Sequence, residues 1–297
     1  MAVTPPVVLT IAGFDPSSGA GITADIKTIA AHECYGVACI TALTVQSTQG
    51  VTRVEGVDPK LIGETLLALV SDIRVEAVHI GMLGNGRVVE AVADFLGEAF
   101  HGASQGKERL PHIVLDPILK SSSGADLLDE AGTRILIERL LPLAEVVTPN
   151  LDEASLLAAM PVSNLDQMRA AASRLHSLGA VNVVVTGGHL EQDKAVDLLS
   201  FATGRGLETE IFKAGRQRSN STHGTGCAFA TAVACHLAHG RGLPEAVLLA
   251  KAYVSAAISN AYRLGLGVGP VNHLYRFSQP RRASSAISEV ESAHSRN

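Results

Sequence analysis

A glycine-flanked turn runs directly into an apolar stretch with helical spacing at residues 219–240, which read SNSTHGTGCAFATAVACHLAHG. Cys227 stands where the turn joins the helix, just behind Gly224 and Gly226. A helix N-terminus points unpaired backbone N–H groups and partial positive charge outward, which suits an anion and favours a thiolate. We therefore predict that this turn suits an anion, with a cysteine behind it that is either reactive or part of a helix cap. No G-K-[ST] sequence occurs, so the turn is not a Walker A loop.

Polar residues also follow several apolar runs, and ligands bind at the carboxyl ends of strands in open parallel sheets. The loop GFDPSSGAGITAD at 13–25 has glycines for close backbone approach, and Asp15 and Asp25 could bind polar edges. The alternative is an ordinary turn with Asp25 as a solvated helix residue. Gln46 offers a donor and an acceptor, which suits an amide or aminopyrimidine edge, unless it is a plain surface residue. Met82, in IGMLGN, would lie over a flat ring or pack in the core.

A third group of oxygen-bearing side chains lies farther along the chain. Asp116 belongs to the run HIVLDP, and Asn150 and Glu153 stand in TPNLDEA with N-x-x-E spacing. That spacing places Asn150 and Glu153 at the start of one helix, with Asn150 as its N-cap. Oxygen ligands at such positions suit Mg²⁺, which takes few protein ligands and keeps several waters. A capping residue beside an ordinary first-turn acid is the competing interpretation.

Short apolar runs alternate with amphipathic stretches, and this alternation predicts the elements that position these side chains. Continuous apolar runs between amphipathic helices indicate a mostly parallel sheet covered on both faces. The expected strands are 7–13, 37–45, 75–81, 112–117, 145–150 and 181–188, and the expected helices are 22–33, 59–73, 124–141, 227–240 and 244–265. The runs 194–202 and 208–214 have no long helix between them, which predicts a local antiparallel pair.

Composition limits the function classes. The chain has 297 residues, 46% hydrophobic and 18% charged, with a net charge of −5. No basic block appears, which argues against a nucleic-acid surface. No apolar run approaches the ~20 residues of a bilayer span, and the N-terminus lacks the basic start of a signal peptide. Cys34, Cys39, Cys227 and Cys235 form no C-x-x-C pair, so we expect reduced thiols in a cytoplasmic protein.

The domain organisation is simple. Residues 1–277 show no interior linker and no internal repeat, which predicts one compact domain. The polar, serine-rich stretch at 278–297 is expected to be a disordered tail, because it offers little apolar surface to a core.

Taken in order, several segments resemble one known family. TIAGFDPSSGAGITADIKT, ITALTVQSTQGV, IGMLG, VLDPIL, TPNLDEA, GGH and STHGTGCAFATAVA are similar to the hydroxymethylpyrimidine/phosphomethylpyrimidine kinases of thiamin biosynthesis, which belong to the ribokinase-like superfamily. The similarity runs from Val7 to Phe277 and ends in GVGPVNHLYRF. Ordered motifs over nearly the whole chain are far more specific than any single loop.

The resemblance implies an α/β fold with three layers, α/β/α, a mostly parallel central sheet and an active site along its carboxyl edge. It implies phosphorylation of 4-amino-5-hydroxymethyl-2-methylpyrimidine and then of its monophosphate, with ATP and Mg²⁺ as cofactors. The pyrimidine pocket would be formed by Gly13, Ala20, Asp25, Thr44, Gln46 and Met82, and the anion hole by Gly224, Thr225 and Gly226. Asp116 and Glu153 would hold Mg²⁺. Asn150 and Glu153 would bind the ATP phosphates, together with Thr186 and Gly188, which lie in the family's K-G-G-H stretch.

The resemblance also gives Cys227 a role. It stands where most ribokinase-like enzymes place a basic aspartate. The helix N-terminus is expected to lower the pKa of the thiol, so that the thiolate accepts the hydroxymethyl proton while the same N–H groups hold the phosphoryl charge. Positioning and electrostatics supply most of the barrier reduction in phosphoryl transfer, so a modest base suffices.

Two departures from the family affect the nucleotide side. Thr186 takes the place of the lysine in K-G-G-H, so a positive contact to an ATP phosphate is either missing or supplied elsewhere. The family's D-P-V-M-x-A-K-S-G loop reads DPILKSSSG here, which displaces Lys120 by two positions. Neither change touches the residues expected for the pyrimidine pocket.

Two alternatives stay open. Some relatives with a G-T-G-C turn phosphorylate pyridoxal or pyridoxine, whose ring also carries a hydroxymethyl group. The second alternative is a non-catalytic pyrimidine-binding protein, which Thr186 slightly favours and the intact G-T-G-C turn and N-x-x-E pair oppose. We expect a small-molecule substrate, no nucleic-acid or membrane partner, and a homo-oligomer, most simply a dimer.

Overall fold

The computed structural model describes residues 4–101, 111–121, 124–188, 194–217 and 219–277. The tail expected at 278–297 lies outside these residues. In the described part of the chain, no helix combines the length and the apolarity needed to cross a bilayer.

A single mixed sheet forms the centre of the molecule. Its strands in the described residues are β1 Val7–Phe14, β2 Tyr35–Ser47, β3 Gly50–Gly56, β4 Ala77–Ile80, β5 His112–Leu115, β6 Val146–Val147, β7 Val183–Gly187, β8 Lys194–Thr203 and β9 Gly206–Gly215. They lie in the order β3-β2-β1-β4-β5-β6-β7-β8-β9. Neighbours from β2 to β7 are parallel, whereas β3 at one edge and β8 and β9 at the other are antiparallel. The mostly parallel sheet and the antiparallel pair predicted at 194–202 and 208–214 are confirmed.

Helices cover both faces of this sheet. They are α1 Gly21–Ala31, α2 Pro59–Asp72, α3 Gly86–His101, α4 Glu130–Ile135, α5 Leu151–Ala158, α6 Leu165–Ser177, α7 Thr225–Ala238 and α8 Leu243–Ser259. Buried side chains of α2, α3, α5 and α6 form one core with the sheet, and those of α1, α7 and α8 form a second core. The three-layer α/β/α fold is thus confirmed.

Alternation along the strands explains how one sheet supports two cores. In β1, Val8 belongs to the core under α1, α7 and α8, whereas Leu9 and Ile11 belong to the other core. All three are fully buried, because successive side chains of a strand point to opposite faces. Continuous apolar strands therefore follow from coverage on both faces.

The structure differs from the expected elements at several points. The edge strand β3 was not expected, because its mostly exposed sequence GVTRVEG carries no strong apolar pattern; α3 and α6 were not expected either. The helix expected at 244–265 ends at Ser259, shortly before the glycine-rich stretch GLGVG, which disfavours helix. The helix expected at 124–141 begins only at Glu130, where Asp129 caps it.

Candidate active site

The carboxyl ends of the parallel strands open into a cleft of about 520 Å³. Loops that follow β1, β2, β4, β5 and β6 line it, together with the first turn of α7. The cleft brings together these residues predicted for the site: Gly13, Ala20, Asp25, Thr44, Gln46, Met82, Asp116, Asn150, Glu153, Thr186, Gly224, Thr225, Gly226 and Cys227. Gly188, predicted on the nucleotide side, is exposed and is not among the lining residues.

Asp15 organises the loop after β1. Its Oδ1 accepts hydrogen bonds from the N–H of Ser17 at 2.8 Å and from the Ser17 hydroxyl at 2.7 Å. Its Oδ2 accepts from the N–H groups of Gly19 at 3.2 Å and Ala20 at 3.0 Å. The carboxylate that the sequence offered as a ligand for polar edges is therefore engaged by its own loop.

His223 joins this loop to the strand that carries Gln46. Its Nε2 lies 2.9 Å from Asp15 Oδ2 and 3.2 Å from the Gln46 side-chain nitrogen. Because a carboxylate only accepts, Nε2 carries a proton and donates it to Asp15. Since Nε2 cannot then accept from Gln46, we assign the amide with its oxygen towards His223 and its nitrogen towards Thr44 Oγ1, 3.1 Å away. The Thr44 hydroxyl in turn donates to the Phe14 carbonyl at 3.0 Å.

The protonation of Asp15 supports this network. Burial raises the pKa of the Asp15 carboxyl, but hydrogen bonds from His223 and Ser17 outweigh burial and leave the pKa below its usual value. The carboxylate is therefore ionised at neutral pH and holds the His223 ring in one orientation. Sequence reasoning gave His223 no role, and only its place directly before Gly224 could have signalled one.

The glycine turn before α7 packs directly on the loop after β1. Gly224 has a φ of +80°, and a Cβ there would overlap the carbonyl oxygen of Gly19, so only glycine fits. α7 begins at Thr225, and no side chain of the described residues caps its N-terminus. The Thr225 N–H lies 3.4 Å from the Thr222 carbonyl oxygen, a long hydrogen bond, and without a side-chain cap the N-terminal turn of α7 can bind an anion in the cleft.

Met82 and Gly13 form an apolar wall of the cleft. A Cβ at Gly13 would lie 3.0 Å from Met82 Sδ, so the glycine lets the thioether lie against the end of β1. The Thr41 hydroxyl donates to the Met82 carbonyl at 2.6 Å and fixes the turn after β4. Met82 is only 8% exposed, and it packs in a small cluster with Ala42 and Leu127. The core-packing interpretation of Met82 is therefore confirmed, and its place against a flat ring stays a prediction.

Asp25 lies in the floor of the cleft. It is fully buried, and its Oδ2 accepts from the Thr10 hydroxyl at 2.7 Å while Oδ1 accepts from the Thr231 hydroxyl at 2.9 Å. His79 Nδ1 lies 3.4 Å from Oδ2. These contacts tie α1, β1, β4 and α7 together beneath the site. The interpretation of Asp25 as a solvated helix residue was wrong.

Cys227 lies in the first turn of α7, but its pKa shifts against the prediction. Burial raises the pKa of the thiol well above its ordinary value, and the negative charges of Asp116 and Asp25 raise it further. A hydrogen bond from the Gly21 backbone lowers the pKa but does not compensate. The expectation of a lowered pKa was wrong, because the fold buries the thiol and brings carboxylates from other segments close to it.

Asp116 and Glu153 bring two buried carboxyl groups to the nucleotide side. Burial raises the pKa of Asp116 well above its usual range, and the charges of Glu153 and Asp25 add to the shift. Burial also raises the pKa of Glu153, to about 7. A Cβ on Gly226 would lie 3.7 Å from Asp116 Oδ2, so this carboxylate faces the glycine turn.

Asn150 and Glu153 form a capping box at the start of α5. Asn150 Oδ1 accepts from the Glu153 N–H at 3.0 Å, and Glu153 Oε2 accepts from the Asn150 N–H at 2.9 Å. A backbone hydrogen bond from Leu119 also reaches the Glu153 carboxylate. The capping interpretation of the N-x-x-E spacing is confirmed.

The two departures from the family pattern both lie at this side. Thr186 ends β7 beside Asn150, and its N–H donates to the Pro149 carbonyl at 2.9 Å. Lys120 lines the cleft, but its Nζ lies 3.5 Å from the exposed carboxylate of Asp126. Neither residue supplies a buried positive charge.

A buried ion pair supports the end of β7 from behind. Lys251 Nζ of α8 lies 2.7 Å from Asp197 Oδ2 of β8, and the two side chains are 9% and 7% exposed. Asp197 Oδ1 also accepts the N–H of Gly187 at 3.1 Å. Sequence reasoning missed this pair, although a single lysine within the apolar stretch VLLAKAYVS was the available signal.

The donor set can be tested for a metal ion. Among the described residues, no group of three or more His, Cys, Asp and Glu side chains is placed to hold one. Two close carboxylates fit Mg²⁺ nevertheless, because this ion is often held by one or two carboxylates, substrate phosphates and waters. The raised pKa values of Asp116 and Glu153 show that their ionised forms are disfavoured by their surroundings, and a bound cation would stabilise those forms.

Curated relatives of the chain are named as pyrimidine kinases or as thiamine biosynthesis proteins. The hydroxymethylpyrimidine/phosphomethylpyrimidine kinase of Rhizobium meliloti is 43% identical over 274 residues, which cover 91% of this chain and 98% of the relative. The thiamine biosynthesis bifunctional protein ThiED of Geobacter sulfurreducens is 44% identical over 267 residues, 90% of this chain. That match covers 52% of ThiED, so the chain spans about half the length of this relative.

Solved structures and a family model agree with these relatives. An ADP complex of Bacillus subtilis pyridoxal kinase has a TM-score of 0.81 at 34% identity, over 93% of this chain and 100% of that one. The phosphomethylpyrimidine kinase of Clostridium difficile 630 has a TM-score of 0.72 at 34% identity, over 85% of this chain and 99% of that one. The family model described as Phosphomethylpyrimidine kinase matches residues 15–272. Since this match spans most of the chain, the chain belongs to the phosphomethylpyrimidine kinase family.

Proposed function

We propose that the chain transfers the γ-phosphoryl group of ATP to the hydroxymethyl group of 4-amino-5-hydroxymethyl-2-methylpyrimidine, and then to the monophosphate so formed. The observation that carries the proposal is the contact through which His223, next to Gly224, joins the glycine turn to Gln46. Gln46, which would recognise the ring edge, and the glycine turn, which would stabilise the phosphoryl charge, are therefore linked through His223.

Gln46 is proposed to read the pyrimidine edge. With its oxygen towards His223 and one N–H towards Thr44, the amide keeps a second N–H and a second lone pair for a ligand. An aminopyrimidine edge presents an amino donor beside a ring-nitrogen acceptor, which matches this pair. Met82 and Gly13 would support the apolar part of the ring.

The first turn of α7 is proposed to hold the transferring phosphoryl group. Backbone N–H groups at Gly224, Thr225 and Gly226 can stabilise its charge without a lysine. Fixed donors of this kind supply much of the catalysis in phosphoryl transfer, because the protein has little covalent chemistry to perform.

Asp116 is proposed to hold Mg²⁺, with Glu153 as a second buried charge beside it. The hydrogen bonds of Glu153 within the α5 cap leave Asp116 as the more direct ligand. Bound Mg²⁺ supplies positive charge that balances the phosphates of ATP and the carboxylate that holds it. Asn150 and Thr186 would border the phosphates, and Gly188 would lie just beyond them.

Cys227 is proposed to take the proton of the hydroxymethyl group. Burial raises the pKa of the thiol, and the charges of Asp116 and Asp25 raise it further, so ionisation of the thiol is proposed to require bound Mg²⁺ that balances those charges. The N–H groups of α7 and the Gly21 backbone then stabilise the thiolate. Cys227 is thus proposed to ionise only when substrate and Mg²⁺ are bound, and to be a protonated thiol in the empty site.

Pyridoxal is the second candidate substrate, because a pyridoxal kinase is a solved neighbour with a TM-score of 0.81. An ATP-consumption assay on purified protein tests both candidates, with the hydroxymethylpyrimidine, its monophosphate and pyridoxal offered separately. We expect the two pyrimidines to be turned over with a higher kcat/KM than pyridoxal. A higher kcat/KM for pyridoxal would overturn the proposed substrate, and binding without turnover would identify a non-catalytic protein.

A cytoplasmic homodimer is also part of the proposal. The side chains of Leu43 and Val45 on β2 are 50% and 58% exposed, and apolar groups of this kind suit a partner copy. All four cysteines are free, in keeping with a reducing compartment. Light scattering on the eluted protein tests the dimer: we expect twice the chain mass, falling to one chain mass in Val45→Glu.

A further inference from the structure

One peptide unit in the loop between β1 and α1 is held at both of its polar ends. The carbonyl oxygen of Ser18 accepts a hydrogen bond from Lys27 Nζ on α1 at 2.8 Å. On the other side of the same peptide bond, the Gly19 N–H donates to Asp15 Oδ2 at 3.2 Å. Because the lysine amine can only donate and the carboxylate can only accept, these two side chains fix the orientation of the Ser18–Gly19 peptide.

The backbone of Ser18 has an unfavourable conformation. Its φ is +60°, in the left-handed region that a residue with a Cβ adopts at a cost. The Ser18 N–H donates to the Asp15 carbonyl at 3.0 Å, which closes a tight turn. Such a conformation persists where the surrounding contacts hold it. The hydrogen bond from Lys27 to the Ser18 carbonyl is one of these contacts.

The Ser18–Gly19 peptide also supports the His223 ring. A Cβ on Gly19 would overlap Cδ2 of this ring, so the imidazole packs directly on the Gly19 backbone. The main chain of His223 is held separately, because its N–H donates to the Gly269 carbonyl at 3.0 Å. A displaced Gly19 would therefore move the ring of His223, and with it the contact to Gln46, more than the main chain of the glycine turn.

The charged and titratable groups around Lys27 agree with this arrangement. Burial lowers the pKa of Lys27, whereas the charge of Asp15 raises it. Burial and the charge of Lys27 lower the pKa of His273 to about 4, so this buried ring is neutral at physiological pH. Asp15 is thus the charged partner of Lys27 in the loop.

We propose that Lys27 is a positioning residue for pyrimidine binding. It holds the Ser18–Gly19 peptide, on which the His223 ring rests, and His223 in turn contacts the Gln46 amide. Lys27 lies outside the residues that line the cleft, so it acts through this loop and not by touching the ligand. The inference rests on the proposed function, because the ligand in question is the hydroxymethylpyrimidine.

Steady-state kinetics of Lys27 variants test the proposal. Lys27→Met removes the donor to Ser18, and we expect the KM for the pyrimidine to rise about tenfold, as for one lost hydrogen bond from a charged donor. The kcat and the KM for ATP should change much less. Lys27→Arg keeps a cationic donor and should stay closer to the wild type. An unchanged KM for the pyrimidine in Lys27→Met, or an equal rise in both KM values, overturns the proposal.

Ser18→Gly tests whether Lys27 acts through the backbone of the loop. Glycine adopts a positive φ without steric cost, so adding Ser18→Gly to Lys27→Met should return the KM for the pyrimidine towards the wild-type value. Ser18→Gly alone should leave that KM nearly unchanged. A double variant as impaired as Lys27→Met would contradict the assigned route through the Ser18–Gly19 peptide.

Hydrogen exchange measured by mass spectrometry gives a readout that does not depend on turnover. Peptides that cover residues 14–21 should exchange faster in Lys27→Met, with the rest of the chain unchanged. Lys60→Met is the matched control, because Lys60 is an exposed lysine of α2 whose Nζ lies 3.8 Å from Glu64; it should change neither KM nor this exchange. Unchanged exchange at 14–21 in Lys27→Met contradicts the proposal, whereas a wild-type protein that does not phosphorylate the pyrimidine contradicts the proposed function.

Discussion

The two sides of the cleft that are proposed to bind the pyrimidine and the nucleotide, called the pyrimidine side and the nucleotide side, are held by different kinds of contact. On the pyrimidine side, side chains from three separate segments hold one another, with His223 Nε2 at 2.9 Å from Asp15 and 3.2 Å from Gln46. On the nucleotide side, Asn150 and Glu153 hold each other within the start of α5, and the Leu119 backbone also hydrogen-bonds to Glu153. The first side is held mainly by side chains from separate segments, and the second mainly by a local capping box.

The two sides also differ in their charge. Asp15, with its pKa lowered by His223 and Ser17 against the effect of burial, is ionised and paired. Asp116 and Glu153 have raised pKa values, because burial opposes the charge of both; the charges of Glu153 and Asp25 raise the pKa of Asp116 further, and the charge of Asp152 raises that of Glu153. The pyrimidine side is thus organised before the ligand binds, whereas the nucleotide side needs its ligands to balance its charge. Substitutions should therefore change pyrimidine affinity on the first side, and pH dependence or nucleotide affinity on the second.

The largest effect is expected where the two sides meet, at Cys227. Cys227→Ser removes the proposed base but leaves the N–H groups of the turn untouched. A serine hydroxyl is far less acidic than a thiol, so kcat should fall roughly 10²–10⁴-fold with little change in either KM. Steady-state kinetics with ATP and the pyrimidine measure this.

Cys39→Ser is the matched control, because Cys39 is also buried but lies away from the cleft. Its kcat should stay near that of the wild type. If Cys227→Ser retained a normal kcat, Cys227 would be a small packing residue and the base would have to be sought among the carboxylates around it.

The next largest effect concerns the support behind the nucleotide side. Lys251→Met leaves the Asp197 carboxylate buried without its partner, which should cost about 3–5 kcal/mol of unfolding free energy. The KM for ATP should rise more than the KM for the pyrimidine, because Asp197 also holds the Gly187 N–H. Urea unfolding and the two KM values measure these effects.

The control is the exposed pair formed by Arg241, which precedes α8, and Glu245 in the first turn of that helix. Its atoms are also 2.7 Å apart, but the side chains are 52% and 49% exposed. Arg241→Met should cost no more than about 1 kcal/mol. Equal losses in the two variants would show that burial does not distinguish the pairs.

Much of the fold was predictable, because periodicity reports which faces of an element are buried. The strand at Val7–Phe14 is apolar throughout since both its faces are covered, and its sequence predicted that. The edge strand Gly50–Gly56 was not predictable, because its residues are mostly exposed and its sequence therefore shows no apolar pattern. The end of α8 at Ser259 was missed for a related reason, since its last turns are only partly buried.

The site was predictable as a set of residues but not in its electrostatics. The motifs correctly placed Gln46, Met82, Asp116 and the glycine turn in one cleft. The direction of the pKa shift of Cys227 was predicted wrongly, because the pKa depends on burial and on carboxylates that lie far away in sequence. Helix-terminus effects are local and can be read from a motif, whereas burial and long-range charge require the fold.

Glu153→Gln tests, through the pH dependence of the unfolding free energy, whether the buried carboxyl group on the nucleotide side lacks a balancing charge. The pKa of Glu153 rises from an ordinary 4.5 to about 7, so the folded protein keeps this proton over a range in which the unfolded chain releases it. Glu153 therefore lowers stability progressively as pH rises from 4.5 to about 7. Glutamine has no proton to keep, so its stabilising effect should grow over that range and approach about 3 kcal/mol above it.

Unfolding free energies at pH 5 and pH 8 check this difference. Asp152→Asn, an exposed change in the same helical turn, should show a much smaller dependence on pH. A stability gain from Glu153→Gln that is the same at both pH values would mean that the carboxylate is already balanced, and the contrast between the two sides would fail.

Gln46→Leu tests the pyrimidine side of the cleft. It removes the amide that contacts His223 and Thr44 and leaves a ligand edge unpaired, which should cost about 1–3 kcal/mol of binding. The KM for the pyrimidine should rise accordingly, with little change in the KM for ATP. Thr52→Leu, at an exposed position on the neighbouring strand β3 that is not among the residues lining the cleft, is the control and should change neither KM. Equal increases in both KM values would remove Gln46 from the pyrimidine site.

Thr186→Lys tests the opposite side with the smallest expected effect. It restores the lysine of the family's K-G-G-H stretch at the end of β7, beside Asn150. Because Thr186 is only partly buried, the new charge interacts with phosphates through a solvent-screened field, worth up to about 1 kcal/mol. The KM for ATP should therefore fall roughly two- to fivefold, with the KM for the pyrimidine unchanged. Thr186→Gln, of similar length but neutral, should leave both values as they are. If the lysine did not lower the KM for ATP, the positive contact would already be supplied elsewhere, and the nucleotide side would be less in need of charge than its raised pKa values indicate.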